Sequence, residues 1–254
     1  MSLIVQKYGG SSLSTPLRIR EMASRISKRK KQGDDLVVVV SAMGNETDKL
    51  LKLAHEVSQN PPARELDMLL SVGERISMSL LSMALHDLGE PAISFTGSQS
   101  GIVTDAVHTN ARILEVKADR IKEELRLGKV VIVAGFQGVS VDREITTLGR
   151  GGSDVTAVAL AISLEASFCE FYKDVDGLYS KDPRQFLDAQ KMSECDYSEV
   201  YELVEKGAKV FHPLAIDLAK KHALPLYLAS SFNSEPGTWI LPKGRILPET
   251  RSNG

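Results

Sequence analysis

The chain has 254 residues, 43% hydrophobic and 25% charged, with 31 Lys+Arg against 33 Asp+Glu for a net charge of -2. That length buries a core, and the charge balance excludes a broad electrostatic footprint for nucleic acid or an anionic membrane surface. The start, MSLIVQKYGG, lacks the basic region and long apolar run of a signal peptide, and runs such as LVVVV and VVIVA are too short to cross a bilayer. Two cysteines without a CxxC spacing indicate a reducing, cytoplasmic setting and no structural zinc.

In chain order, SLIVQKY reads as a strand, and STPLRIREMASRISKRKKQG as a helix with Ser14 or Thr15 at its N-cap, Pro16 in its first turn and Gly33 at its end. The basic run RISKRKKQ falls late in this helix, where cations suit the dipole, so it is read as a solvated helix end. LVVVVS is a strand buried on both faces. TDKLLKLAHEVS and ARELDMLLSVGERISMSLLSMALHDLG are helical, separated by Pro61-Pro62. PAISFTG is expected as a strand, ARILEVKADRIKEELRLG as a helix and KVVIVAG as a strand. SDVTAVALAISLEA is an apolar helix and SFCEFYKD a strand, followed by helices SEVYELVEKG and PLAIDLAKKH, the strand LPLYLA and a final strand region, GTWIL. This alternation predicts an α/β fold, a mostly parallel β-sheet with helices on both faces, in one domain of two lobes spanning residues 1–240. Residues 241–254 are a short polar tail rich in breakers, too small for a core of its own.

In such folds ligands sit beyond the carboxyl ends of the strands. Those ends carry KYGGSSL, SAMGNET, TGSQSG, AGFQG and YKDVDG, delivering glycines and hydroxyls to one rim. Lys7 takes a charge to the end of a buried strand, and Gly9 and Gly10 then remove side chains from the backbone, which points to an anion pocket, although the order is not that of a P-loop. TLGRGGSDVTAVALA sets Arg150, Gly151, Gly152, Ser153 and Asp154 before an apolar helix, whose first N–H groups form an anion site. Ser153 or Asp154 as a plain N-cap accounts for part of this, but not for the arginine and paired glycines.

KYGGSSL, SAMGNETDKL, SVGERIS, TTLGRGGSDVTA, YKDVDGLYSKDPR and GAKVFHP, in this order, closely resemble the catalytic domain of aspartokinases, within the amino acid kinase superfamily. The resemblance spans residues 3–240, and the combination of SVGE, GRGGSD and KVFHP carries its specificity. Tyr8 and Ser11 stand where KFGGTS is the commoner form, and Lys173 where many members have Thr. Most such enzymes continue into regulatory ACT domains. The tail here implies none, so the chain is expected to be insensitive to lysine, threonine and methionine.

The resemblance implies an α/β/α sandwich that transfers the γ-phosphoryl of ATP to the side-chain carboxylate of L-aspartate. It implies Lys7 and Lys209 as phosphate-contacting charges, each with an ordinary alternative: a strand-end salt bridge and an exposed helix-end lysine. Asp154 would orient the catalytic lysines. Arg150 would clamp the aspartate α-carboxylate, with Gly151, Gly152 and Ser153 beside it. Glu74 would pair with the α-ammonium, its alternative being an intrahelical ion pair. Thr47 and Ser41 would offer hydroxyls to substrate and phosphates, and with Asp48 they read equally well as turn and cap residues. The nucleotide would further be held by Tyr8, Lys173, Asp174, Tyr179, Asp182, Arg184 and Val210. Mg²⁺ would arrive with ATP, held mainly by phosphates and water. His212 before Pro213 is read as a structural hydrogen-bonder. A homo-oligomer, with or without a separate regulatory subunit, is expected. The competing readings are a superfamily kinase acting on glutamate or acetylglutamate, and a sensing subunit without turnover; carbamate and UMP fit an Arg150–Glu74 pair poorly.

Overall fold

The computed structural model describes residues 2–244 except 182, 184, 187 and 206–209. The order begins β1 (Leu3–Tyr8), α1 (Pro16–Lys31), β2 (Asp35–Val40), α2 (Glu46–Val57), α3 (Ala63–Leu70), α4 (Val72–Asp87), β3 (Ala92–Phe95), β4 (Ile102–Thr104) and β5 (Ile113–Val116). It continues α5 (Asp119–Arg126), β6 (Val130–Ala134), β7 (Gln137–Ser140), β8 (Ile145–Thr147), α6 (Gly152–Ser163), β9 (Phe168–Lys173) and β10 (Glu194–Asp196). The last elements are α7 (Tyr197–Glu205), α8 (Pro213–Lys221), β11 (Leu226–Ser230) and β12 (Thr238–Leu241). An eight-stranded sheet runs β10-β12-β11-β9-β1-β2-β6-β3, and its one antiparallel pairing is β11 with β12. The mostly parallel sheet with helices on both faces follows the sequence expectation.

The strand period of two sorts the side chains of β1 between two cores. Val5 packs with α5, α6 and α8 on one face; Ile4 and Tyr8 pack with α1 and α4 on the other. β2 and β6 are buried at every hydrophobic position from Leu36 to Val40 and Val130 to Ala134, as central parallel strands must be. α1 starts as its sequence dictates: Thr15 Oγ1 accepts from Arg18 N at 3.2 Å and Pro16 occupies the first turn. Ala63–Asp87 is long and apolar enough to cross a membrane by length and composition, yet half of it is buried and α4 packs on α1 and on β3 and β6, as a core helix does.

A second sheet, β5-β4-β7-β8, forms the smaller lobe. ARILEVKADRIKEELRLG is therefore not one helix: Ile113–Val116 pairs antiparallel with β4, and the helix begins only at Asp119. The apolar spacing fits a helix, but edge pairing with β4 decides the first part. The expected helix 63–89 is divided at Ser71 into α3 and α4. The chain passes from β6 to the smaller lobe through Gly135 and Phe136, where Phe136 takes φ 69° and its N–H donates to Thr156 Oγ1 at 3.1 Å. The polar tail from residue 241 lies, beyond Gly244, outside the described residues.

Candidate active site

Two parallel neighbours, β1 and β9, end side by side with Lys7 opposite Phe171. Residues 7, 171 and 173 share one face, so both lysines point toward the start of α6. There Asp154, in the first turn, receives them: Lys7 Nζ lies 2.9 Å from Oδ1 and Lys173 Nζ lies 2.7 Å from Oδ2. Burial by itself would raise the Asp154 carboxyl, but the ammoniums of Lys173 and Lys7 outweigh it and hold the group below the usual carboxylate range. Burial pulls Lys173 below its ordinary value against the raising effect of Asp154. Lys173 also donates to the Val210 carbonyl, and His212 N donates to Asp154 Oδ2 at 3.4 Å.

The cluster floors a cavity of about 660 Å³ lined by Lys7, Ser41, Arg150, Gly151, Ser153, Asp154, Lys173, Val210, Phe211 and His212, among others. The Ser41 and Ser153 hydroxyls meet at 2.9 Å, joining the β2 end to the α6 start. Gly151 is at φ 76° and a Cβ there would stand 2.7 Å from the His212 ring, so the turn into α6 demands glycine twice over. His212 itself caps α8, accepting from Leu214 N at 3.3 Å, which matches its structural reading while also making it a wall of the cavity.

The two glycines after Lys7 have different reasons. A Cβ on Gly10 would collide with Gly44 O at 2.8 Å, so that glycine is required by packing against the loop after β2. A Cβ on Gly9 would meet nothing closer than Tyr172 O at 3.8 Å and Lys7 Nζ at 3.9 Å. Packing does not demand Gly9; a methyl there would cover the ammonium.

Glu74 is outside the cavity lining, though the Lys7 charge reaches it; Gly73 beside it lacks a side chain and so lets α4 approach Ala42, where a Cβ would lie 2.8 Å from Ala42 Cβ. The Glu74 carboxylate then accepts from Ala42 N at 3.1 Å, while its other oxygen is buried with no partner among the described residues. No basic side chain pairs with it there, so the intrahelical alternative does not hold. Burial pushes its carboxyl up to about 7, partly opposed by the Ala42 N–H and the Lys7 charge.

Arg150 stands at the cavity mouth, largely exposed, with Nη2 3.0 Å from Asp48 Oδ1 of α2. Gly152 and Ser153 open α6, and Thr47 sits in the first turn of α2 outside the cavity lining. Tyr8 departs from its expected place: its ring is fully buried in the core on the far face, stacked on Tyr172 at 5.0 Å, because it alternates with Lys7. Only its backbone is left for the site. Asp174 is exposed just past β9, and the Tyr179 hydroxyl donates to Asp176 at 3.0 Å, away from the cavity lining. Asp182, Arg184 and Lys209 lie outside the described residues. Sequence reasoning gave Lys173 to the nucleoside and missed its ion pair with Asp154, which no local spacing announces; YKDVDG was the only signal.

A mostly parallel α/β sheet that brings two largely buried lysines, a glycine turn and a helix start to one cavity is an arrangement suited to an anionic ligand. Comparison with known proteins narrows the class. The amino acid kinase family model matches residues 2–230, and the chain belongs to that family. It is 51% identical over 249 residues to the aspartokinase of Mycobacterium tuberculosis, covering 98% of this chain and 59% of that protein. An aspartate kinase structure from Synechocystis superposes with a TM-score of 0.85 at 47% identity, over 99% of this chain and 41% of that one. E. coli aspartokinase III in complex with aspartate and ADP gives a TM-score of 0.85 at 25% identity, over 96% and 65% of the two chains. The chain thus spans just over half the length of the aspartokinase relative it matches.

Proposed function

We propose that the chain is the catalytic domain of an aspartate kinase, a cytoplasmic enzyme that moves the γ-phosphoryl of ATP to the side-chain carboxylate of L-aspartate. The observation that carries the reading is Glu74, a buried carboxylate with one unpartnered oxygen that feels the Lys7 charge, while an exposed arginine stands at the mouth of the cavity that Lys7 lines. An acceptor with both an α-ammonium and an α-carboxylate satisfies the two ends at once. The ammonium would complete Glu74, and the carboxylate would replace Asp48 on Arg150 in a bidentate pair. Thr47 would lend its hydroxyl at that end. Acetylglutamate leaves Glu74 unsatisfied, and glutamate would place its longer side chain differently toward the phosphate.

The attacking carboxylate is ionised at neutral pH, so no general base is needed. Its oxygen forms a bond to Pγ as the bond from Pγ to the β-bridging oxygen breaks, and ADP departs with that electron pair. The protein's task is alignment and positive charge. Lys7 and Lys173 would meet the phosphate oxygens from the strand ends, held in place by Asp154, with Gly9 leaving the Lys7 ammonium uncovered. The start of α6 would add the positive end of its dipole, although its Gly152 and Asp154 amides already donate to the Gly149 and Gly151 carbonyls at 3.0 Å. Among the described residues no three His, Cys, Asp or Glu side chains gather, and Asp154 is already paired twice; this donor set suits a Mg²⁺ carried by ATP phosphates and water, where it would neutralise charge on the β- and γ-oxygens. Asp174, Val210, Tyr179 and, outside the described residues, Asp182, Arg184 and Lys209 remain the proposed nucleotide contacts. The test is hydroxamate trapping of the acyl phosphate with MgATP and aspartate, glutamate or acetylglutamate. Hydroxamate from aspartate alone supports the reading. Equal or greater yield from another acceptor, or none at all, overturns it.

A further inference from the structure

Asp67 of α3 is fully buried, yet no lysine or arginine pairs with it among the described residues. Three donors converge on it instead. Thr147 Oγ1 donates at 2.5 Å, His108 Nδ1 lies at 2.6 Å, and Thr109 N bridges both oxygens at 3.0 and 3.1 Å. Burying a carboxylate is costly unless its hydrogen bonds are complete, so this knot must form whenever the fold does. Its members come from three separate segments: α3, the loop before β5, and the last residue of β8.

Two of those segments lead directly to the proposed acceptor groups. Thr147 precedes Arg150 by three residues, and its carbonyl also accepts from Ala111 N at 2.9 Å. Gly149 between them is at φ 76°, with Asn110 Oδ1 only 3.0 Å from where a Cβ would be. From α3 the chain passes through Ser71, whose carbonyl accepts from Gln137 Nε2 at 2.9 Å, to Glu74 in the first turn of α4. Neither segment carries Lys7 or Lys173, and Asp154 follows Arg150 only after the chain has turned at Gly151 into α6, which is packed in the core.

We propose that Asp67 is a positioning residue that sets the separation of Glu74 from Arg150, and so governs the acceptor site while leaving the phosphate cluster alone. This inference rests on the acceptor reading given above. Its test compares the full chain with Asp67→Asn, Thr147→Val and Thr147→Ser, reading KM for aspartate, KM for ATP, ADP binding by calorimetry, and Tm. Asp67→Asn and Thr147→Val should raise the aspartate KM about tenfold or more, with ATP KM and ADP affinity within about twofold of wild type. Thr147→Ser, which keeps the hydroxyl, should restore the wild-type value. A lowered Tm with an unchanged aspartate KM, or both KM values rising together, overturns the proposal and leaves Asp67 a structural group. If Asp67→Asn does not fold, the Thr147 pair decides: Thr147→Val at wild-type aspartate KM overturns it, and a raised KM that Ser corrects supports it. Wild-type protein that neither uses nor binds aspartate overturns the acceptor reading itself and this inference with it.

Discussion

Lys7 and Lys173 hold opposite oxygens of one carboxylate, that of Asp154, at 2.9 and 2.7 Å. Two ammoniums gathered this closely repel each other, and the shared anion between them offsets that repulsion at the cavity floor. Asp154 thus ties the ends of β1 and β9 to the start of α6 through two ion pairs.

Asp154→Asn should therefore destabilise by roughly 3–5 kcal/mol, because it strips the counter-charge from two largely buried lysines. The pH dependence has a definite sign. A carboxyl held low in the folded state contributes stability above its unfolded value, about 3.9, and loses it as pH falls through the folded value. The deficit of the variant, read by denaturant unfolding, should be complete at pH 7 and smaller at pH 3. A deficit of constant size across that range would show that the charge pairing is not its source.

Lys7→Ala should cut kcat by at least about 10²-fold, since it removes charge that matters most as the phosphoryl group transfers. The fold should survive because Asp154 keeps Lys173, and circular dichroism should match wild type. Turnover near wild type would remove Lys7 from the phosphate role.

The main sheet was legible because LVVVV and VVIVA are uninterrupted apolar runs, which only strands buried on both faces require. The smaller sheet was not. Its strands are three or four residues long and partly polar, as in Gln137–Ser140 and Ile145–Thr147, and pairing between distant segments makes them strands. Lys7 stood out through the glycines behind it. The Lys173–Asp154 pair did not, since 19 residues and a helix separate its members in the chain. The same holds for Asp67, whose donors lie 41 to 80 residues away. The resemblance that places Tyr8 beside the nucleotide does not say which of its atoms would serve, and the strand period turns its ring to the face opposite Lys7.

Arg150→Lys should raise the KM for aspartate and leave the KM for ATP nearly unchanged. A lysine keeps the charge but loses the second arm of the fork, on the order of 1.5–3 kcal/mol for a hydrogen bond to a charged group. Stability should not change, since the Arg150 side chain is 88% exposed and its bridge to Asp48 is a surface pair. A larger effect on ATP than on aspartate would move the arginine to the nucleotide.

Glu74→Gln separates binding from stability through pH. The Glu74 carboxyl is pushed up to about 7 by burial, whereas in the unfolded chain it ionises near the ordinary glutamate value, about 4.3. Between those values the unfolded state has lost a proton that the folded state keeps, so wild-type stability falls as pH rises and levels off above about 7. Glutamine cannot ionise and keeps an oxygen for the Ala42 N–H, so the variant should be the more stable protein at pH 8, by up to about 3 kcal/mol, with the gap closing at pH 4. Binding should run the other way. Only the ionised carboxylate attracts an α-ammonium strongly, so wild-type kcat/KM for aspartate should climb as pH passes through about 7, and the variant should be weaker with that rise gone. Denaturant unfolding and a pH profile of kcat/KM read the two effects independently. A variant that matches wild-type kcat/KM for aspartate at pH 8 would take Glu74 out of the acceptor site.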